Sequence, residues 1–235
     1  LIGVLCFAFL IILGYALTKI LRVPVSQKEA YILMTVFGNL GFIGLPVASA
    51  VLGPKSMVYV IVFNFLFNVV IFTFGIMLVK KGVEGVEQSW TDIFSPGFIA
   101  CITAFFIYWF HIRIPADLQS LVNYCGNACT LLSLLVIGMS LVGMNLGSVF
   151  RNRRLLLFTA IRFLAVPIAL ALLLKPLLPD YIMRASIVLM MSLPVANMPM
   201  MMAEQYGKET AAISEGIILS TVLSAVTISL VFLFV

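Results

Sequence analysis

An all-α protein that crosses the membrane repeatedly is the fold class this sequence predicts, and three observations predict it. Hydrophobic residues make up 63% of the chain and charged residues only 10%, with a mean hydropathy of +1.20. Soluble domains are far less apolar and far more charged. The apolar residues come in runs of the roughly 20 residues that a membrane-spanning helix needs. Two of these runs are broken near their middles by glycine, asparagine and proline, residues that weaken or stop helix propagation.

Eight spans are predicted. The first covers residues 1–19 and ends in a basic loop with Lys19, Arg22 and Lys28. The second, 29–52, contains Gly38-Asn39-Leu40-Gly41-Phe42-Ile43-Gly44-Leu45-Pro46, the first break. After the turn Gly53-Pro54-Lys55, the third span runs over 56–79 and carries Asn64 and Asn68 one turn apart. Residues 81–95 are too polar for a span and too few for a domain, and read as a cytoplasmic linker. The fourth span, 96–112, ends near Tyr108 and Trp109, aromatic anchors of the interfacial type.

The fifth span, 118–144, opens with Asn123, Gly126, Asn127, Thr130 and Ser133, a polar face expected to look into the protein. A basic loop with Arg151, Arg153 and Arg154 leads to the sixth span, 155–178, which contains Arg162 and Pro167. The seventh, 181–206, holds the second break, Ser192-Leu193-Pro194-Val195-Ala196-Asn197-Met198-Pro199. The eighth, 210–235, carries Glu215 and hydroxyls at Ser214, Ser220, Thr221 and Ser224.

Orientation follows from counting Lys and Arg in alternate loops. The loops after spans one, three, five and seven hold nine and the other set four. The first set is therefore expected on the cytoplasmic side, and both chain ends on the other. Basic residues spread over loops in this way also argue against a nucleic-acid partner; the expected surroundings are the lipid bilayer. Leu1 opens inside an apolar run without a basic flank, so a missing N-terminal part is expected in preference to a signal peptide.

The two breaks look like copies of one unit. Pro46 precedes the turn glycine Gly53 by seven residues, Pro199 precedes Gly207 by eight, and each turn leads into a further apolar span. The two turns fall on opposite sides of the membrane, so the copies are inverted. Interrupted segments at matching positions of inverted halves mark the binding site of a secondary transporter. The expected division is 1–80 as the last three helices of a first repeat, 81–95 as linker, and 96–235 as a five-helix second repeat. A full chain of this design has five helices in each half.

At this point the sequence resembles the auxin efflux carrier family, which includes plant auxin exporters and bacterial malate permease-like proteins. The resemblance rests on Gly38-Asn39-x-Gly41-Phe42-x-Gly44-Leu45-Pro46 with Gly53 after it, on Pro194-x-x-Asn197 with Tyr206-Gly207 after it, and on Leu219-Ser220-Thr221. It implies an inverted five-plus-five fold, two crossing broken helices at the midplane, and an organic anion carried by an elevator-like movement. Spans one to three and six to eight would form the transport domain, spans four and five half of the scaffold, and a homodimer would form through the scaffold. The bacterial members imply a plasma (inner) membrane location.

The chemistry expected of the breaks follows from helix ends. A helix N-terminus inside the protein presents amide donors and a partial positive charge, which hold a carboxylate without a buried cation. Asn39 and Asn197 would add side-chain donors and orient the substrate, Pro46, Pro194 and Pro199 would keep the breaks open, and Gly41 of the first break is counted with them as substrate-binding. Asn68 and Asn127 are further candidates for the substrate cavity, weighed against a plain role in helix packing. Glu215 and Arg162 are candidates for proton coupling and anion attraction, although their distance from the cytoplasmic end would allow Arg162 to snorkel.

Other readings compete less well. Intramembrane proteases need His-Glu-x-x-His, a Ser–His pair or an aspartyl dyad, whereas His111 is the lone histidine and Asp92, Asp117 and Asp180 fall in loops. No enzyme activity and no cofactor are expected. Cys6, Cys101, Cys125 and Cys129 are read as small packing residues, and the methionines around the second break as deformable packing. A channel would show rows of pore-lining polar residues. A sodium-coupled carrier of the bile-acid symporter type is the nearest rival, and would want acidic ligands near the second break, whereas Glu204 and Glu215 fall toward the cytoplasmic side.

Overall fold

The computed structural model describes residues 2–81, 96–141 and 146–235. These form thirteen helices, and among the described residues the only β pairing is one isolated bridge. Apart from Lys81, the predicted linker lies outside the described residues.

The first predicted span is the helix α1, Ile2–Ile20. The second is split into α2, Lys28–Val36, a five-residue π-turn over Leu40–Gly44, and α3, Leu45–Leu52. The third is continuous through α4, Met57–Val70, a second π-turn at Ile71–Gly75, and α5, Ile76–Lys80. Then come α6, Pro96–Trp109, and α7, Ala116–Leu141. A short α8, Leu146–Arg151, precedes the sixth span, made of α9, Arg153–Ala160, a third π-turn at Ile161–Ala165, and α10, Val166–Leu177. The seventh is again split, into α11, Tyr181–Ser192, and α12, Met198–Gln205, and α13 covers Ala211–Phe232. Ile2–Ile20, Pro54–Lys80, Arg153–Leu177 and Ala211–Phe232 are long and apolar enough to cross a membrane.

Local chemistry explains several boundaries. Asn152 caps α9 by accepting from the Leu155 N–H at 3.2 Å, and Asp180 caps α11 by accepting from Met183 N–H at 3.1 Å. The chain leaves α3 through Gly53 at φ +76° and α12 through Gly207 at φ +65°. Both are backbone conformations that a side chain would strain, which is why a glycine follows each break.

Elements α2 and α11 form the centre. Every residue from Ala30 to Val36 and from Arg184 to Ser192 is buried, so these helices are enclosed on all sides. Helix α1 packs on α2, α10 on α11, and α13 on both. Aromatic contacts tie the layers: Tyr31 meets Phe158 edge-on at 5.1 Å, and Phe37 meets Phe67 at 5.5 Å. Both fully enclosed helices end at a break, so the tightest packing surrounds the most irregular backbone.

The fifth span departs from expectation. Asn123 and Asn127 are exposed on α7, as are Leu121, Val122 and Tyr124. Its N-terminal half is not enclosed by the described chain, so Asn123 and Asn127 do not turn inward; Thr130 and Ser133 have side chains outside the described set. Cys125 is exposed there too, unlike the buried packing residue Cys6.

Candidate functional site: the helix crossover

The two breaks meet. Gly38 and Val195 form an antiparallel bridge: Asn39 N–H donates to Pro194 O at 2.7 Å, and Ala196 N–H donates to Phe37 O at 2.9 Å. Each stretch of non-helical backbone thereby satisfies the other, as backbone at membrane depth requires. A Cβ added to Gly38 would lie 3.3 Å from Leu193 O, so the close crossing depends on glycine at this position. Pro194 has no N–H to satisfy, and Val195 N–H finds the Ser220 hydroxyl of α13 at 3.0 Å. Ser220 in turn donates to Ile217 O at 3.2 Å. In the sequence Ser220 belongs to a run of hydroxyls and to the Leu219-Ser220-Thr221 pattern, and neither reveals that it reaches across to the break.

Beyond the bridge the two segments differ. Asn39 is 5% exposed, and its side-chain oxygen accepts from Phe42 N–H at 3.2 Å while its backbone carbonyl accepts from Ile43 and Gly44. Leu40 N–H bonds Gly38 O, which leaves exposed Gly41 with its amide outside this set. At the second break, Met200 and Met201 N–H both bond Asn197 O, and Pro199 has no N–H to offer. Most N-terminal amides are thus already used, fewer being free than the sequence predicts. The polar capacity left over sits in side chains: Asn197 is 2% exposed, and neither its Nδ2 nor its Oδ1 has a partner. An orphaned buried amide costs about 1–3 kcal/mol, so it calls for a ligand or water.

Of the prolines of the breaks, Pro194 and Pro199 are buried and Pro46, like Gly41, is exposed. Gly41 also faces Asn64: a Cβ there would lie 3.9 Å from the Asn64 side-chain oxygen. Asn64 opens a cleft of about 450 Å³ between α4 and α6, shared with Asn68, Phe65, Phe105 and Tyr108. Its volume suits a small organic ligand. Asn68 Nδ2 donates to Asn64 O at 2.7 Å, so Asn68 is tied to its own helix while its residue lines the cleft. The aromatic wall, with Phe65 and Phe105 at 4.7 Å, was not among the predicted site residues. Asn127 lines neither the crossover nor this cleft.

The two candidate charges separate. Glu215 is half-buried and accepts from Asn152 Nδ2 at 3.2 Å, which ties it to the start of α9 and not to the break. Arg162 does not snorkel. It is 1% exposed, with Nε donating to Thr35 O and Nη1 to Met191 O, both at 2.6 Å. The π-turn over Ile161–Ala165 carries it, and an extra residue in a helical turn re-aims side chains in this way. Around the second break Met190, Met191, Met200 and Met202 are buried as packing, while Met201 is exposed.

Comparison with curated proteins finds no match. A family model described as membrane transport protein matches residues 1–232, almost the whole chain, with both breaks and the residues between them inside the match. The chain therefore belongs to the membrane transport protein family, the auxin efflux carrier group whose motifs it resembles, and is an integral membrane protein.

Proposed function

We propose that the protein is a secondary transporter that moves a small organic anion by alternating access, with the anion held at the crossover. The observation that carries this reading is the unpartnered Asn197 amide, buried where two helix starts converge. A carboxylate accepts from Asn39 Nδ2 and Asn197 Nδ2, and the partial positive charges at the starts of the Leu40–Leu52 segment and of α12 favour its ionised form. The aromatic cleft beside Asn64 and Asn68 receives the rest of the molecule and connects it to the surface.

The inverted repeat read from the spacing of the two breaks supports an elevator-like movement of α1–α5 and α9–α13 against α6 and α7. The exposed apolar face of α7 fits a scaffold helix covered by lipid or by a second copy of the chain. Among the described residues no acidic side chain touches the crossover, which disfavours a sodium site there. The test is uptake of malate and of an indole acid into proteoliposomes of the full-length protein, with and without sodium and proton gradients. Saturable uptake of at least one acid is expected. Its absence for every acid tried, with uptake of neutral solutes instead, would overturn the reading.

A further inference from the structure

Arg162 is the most buried charge among the described residues, and no carboxylate pairs with it. Its two hydrogen bonds go to the ends of both broken helices. Thr35 O belongs to the last turn of α2 and Met191 O to the last turn of α11. Both carbonyls lie among the last four of their helix, which have no intrahelical donor. One guanidinium, with donors fixed in a fork, therefore satisfies two helix C-termini that come from different parts of the chain.

The electrostatics of this contact matter for an anion. Each helix carries roughly half a positive charge at its start and half a negative charge at its end. The ends of α2 and α11 lie close enough for one guanidinium to reach a carbonyl of each at 2.6 Å. The two negative ends sum to roughly one negative charge, and left bare they cancel the attraction that the two starts exert on a carboxylate. Arg162 brings one positive charge to that point. A cavity of about 10 Å³ beside it, lined by Cys6, Phe7, Gly38 and Met190 among others, has room for about one water, so bulk solvent does not screen the charge.

We infer that Arg162 is a positioning residue for the anion: it braces the crossover and neutralises the ends of α2 and α11, leaving the helix starts net positive toward the substrate. This rests on the anion reading given above. It touches no substrate itself, and acts through the helix ends. The Lys of an Arg162→Lys variant keeps the charge and loses the two-pronged contact. The Gln of Arg162→Gln loses the charge and keeps a hydrogen-bond donor.

The experiment has two arms on the full-length protein. Hydrogen exchange needs no ligand: in Arg162→Gln, peptides covering 37–44 and 193–197 should exchange about tenfold or more faster, with those of α10 unchanged. Uniform acceleration throughout, or none, would overturn the brace. In the second arm, malate, indole-3-acetate and the primary amide of each are tested for binding. Arg162→Gln should weaken the bound acid about tenfold or more while leaving its neutral amide within twofold, and Arg162→Lys should keep most of the preference for the acid. Equal weakening of acid and amide, or loss of the preference in Arg162→Lys, would overturn the electrostatic role. If Arg162→Gln does not fold, Arg162→Lys decides both arms, with faster exchange confined to the same peptides and the acid preference retained. If the wild type binds no acid, the anion reading and the electrostatic role fail together, and the exchange arm still decides the brace.

Discussion

The two breaks are paired by the same bridge and are built in opposite ways. The first is capped from within: Asn39 turns its side-chain oxygen back onto Phe42 N–H, and a π-turn carries the chain into α3. The second is supported from without: Ser220 of α13 satisfies Val195 N–H, and Asn197 caps nothing. One amide is thereby half committed to structure and the other wholly available. The first break lies open at Gly41 and Pro46, whereas the second is buried except at half-buried Met198. A near-symmetric sequence pattern has produced a self-capped, open half and a largely buried half whose polar side chain waits for a partner.

That contrast can be broken at its shared point or sharpened on either side. Gly38→Val attacks what both halves need, because branched methyls would be driven into the Leu193 carbonyl region. A loss of about 3 kcal/mol is expected, read as a fall in thermal stability in detergent. Ser220→Ala should cost about 1–3 kcal/mol by leaving Val195 N–H buried and unsatisfied, with faster exchange at the second break before the first. Asn39→Ala removes an N-cap and should cost about 1 kcal/mol along with most of the binding. Asn197→Ala should also abolish binding, yet change stability by less than about 1 kcal/mol, since relief of an orphaned amide offsets the small cavity left behind. Equal stability losses in the two asparagine variants would erase the proposed division between capped and uncapped halves.

Much of this was legible in the sequence because membrane helices announce themselves by length and hydropathy, and breaks by glycine and proline. Helices and both interruptions fall where the residues place them, with four helices among the described residues long and apolar enough to cross a membrane, and the glycines after the breaks have the positive φ that their recurrence implies. What stayed hidden depended on contacts between distant segments. Arg162 looked able to reach the interface by sequence position, but a π-turn re-aims it toward the carbonyls of α2 and α11. Ser220 reads as one hydroxyl among several until its partner is known. Asn127 has the composition of a cavity residue and lies exposed on α7, because helical phase without a neighbour does not say which way a helix faces.

A carboxylate should complete the crossover, which a cryo-EM map of the full-length protein with its transported acid would reveal. Carboxylate density is expected within hydrogen-bonding distance of the side-chain amides of Asn39 and Asn197, with the body of the acid toward Asn64 and Phe105. Acid density elsewhere, with the Asn197 amide still unpartnered in a protein that transports the acid, would contradict it.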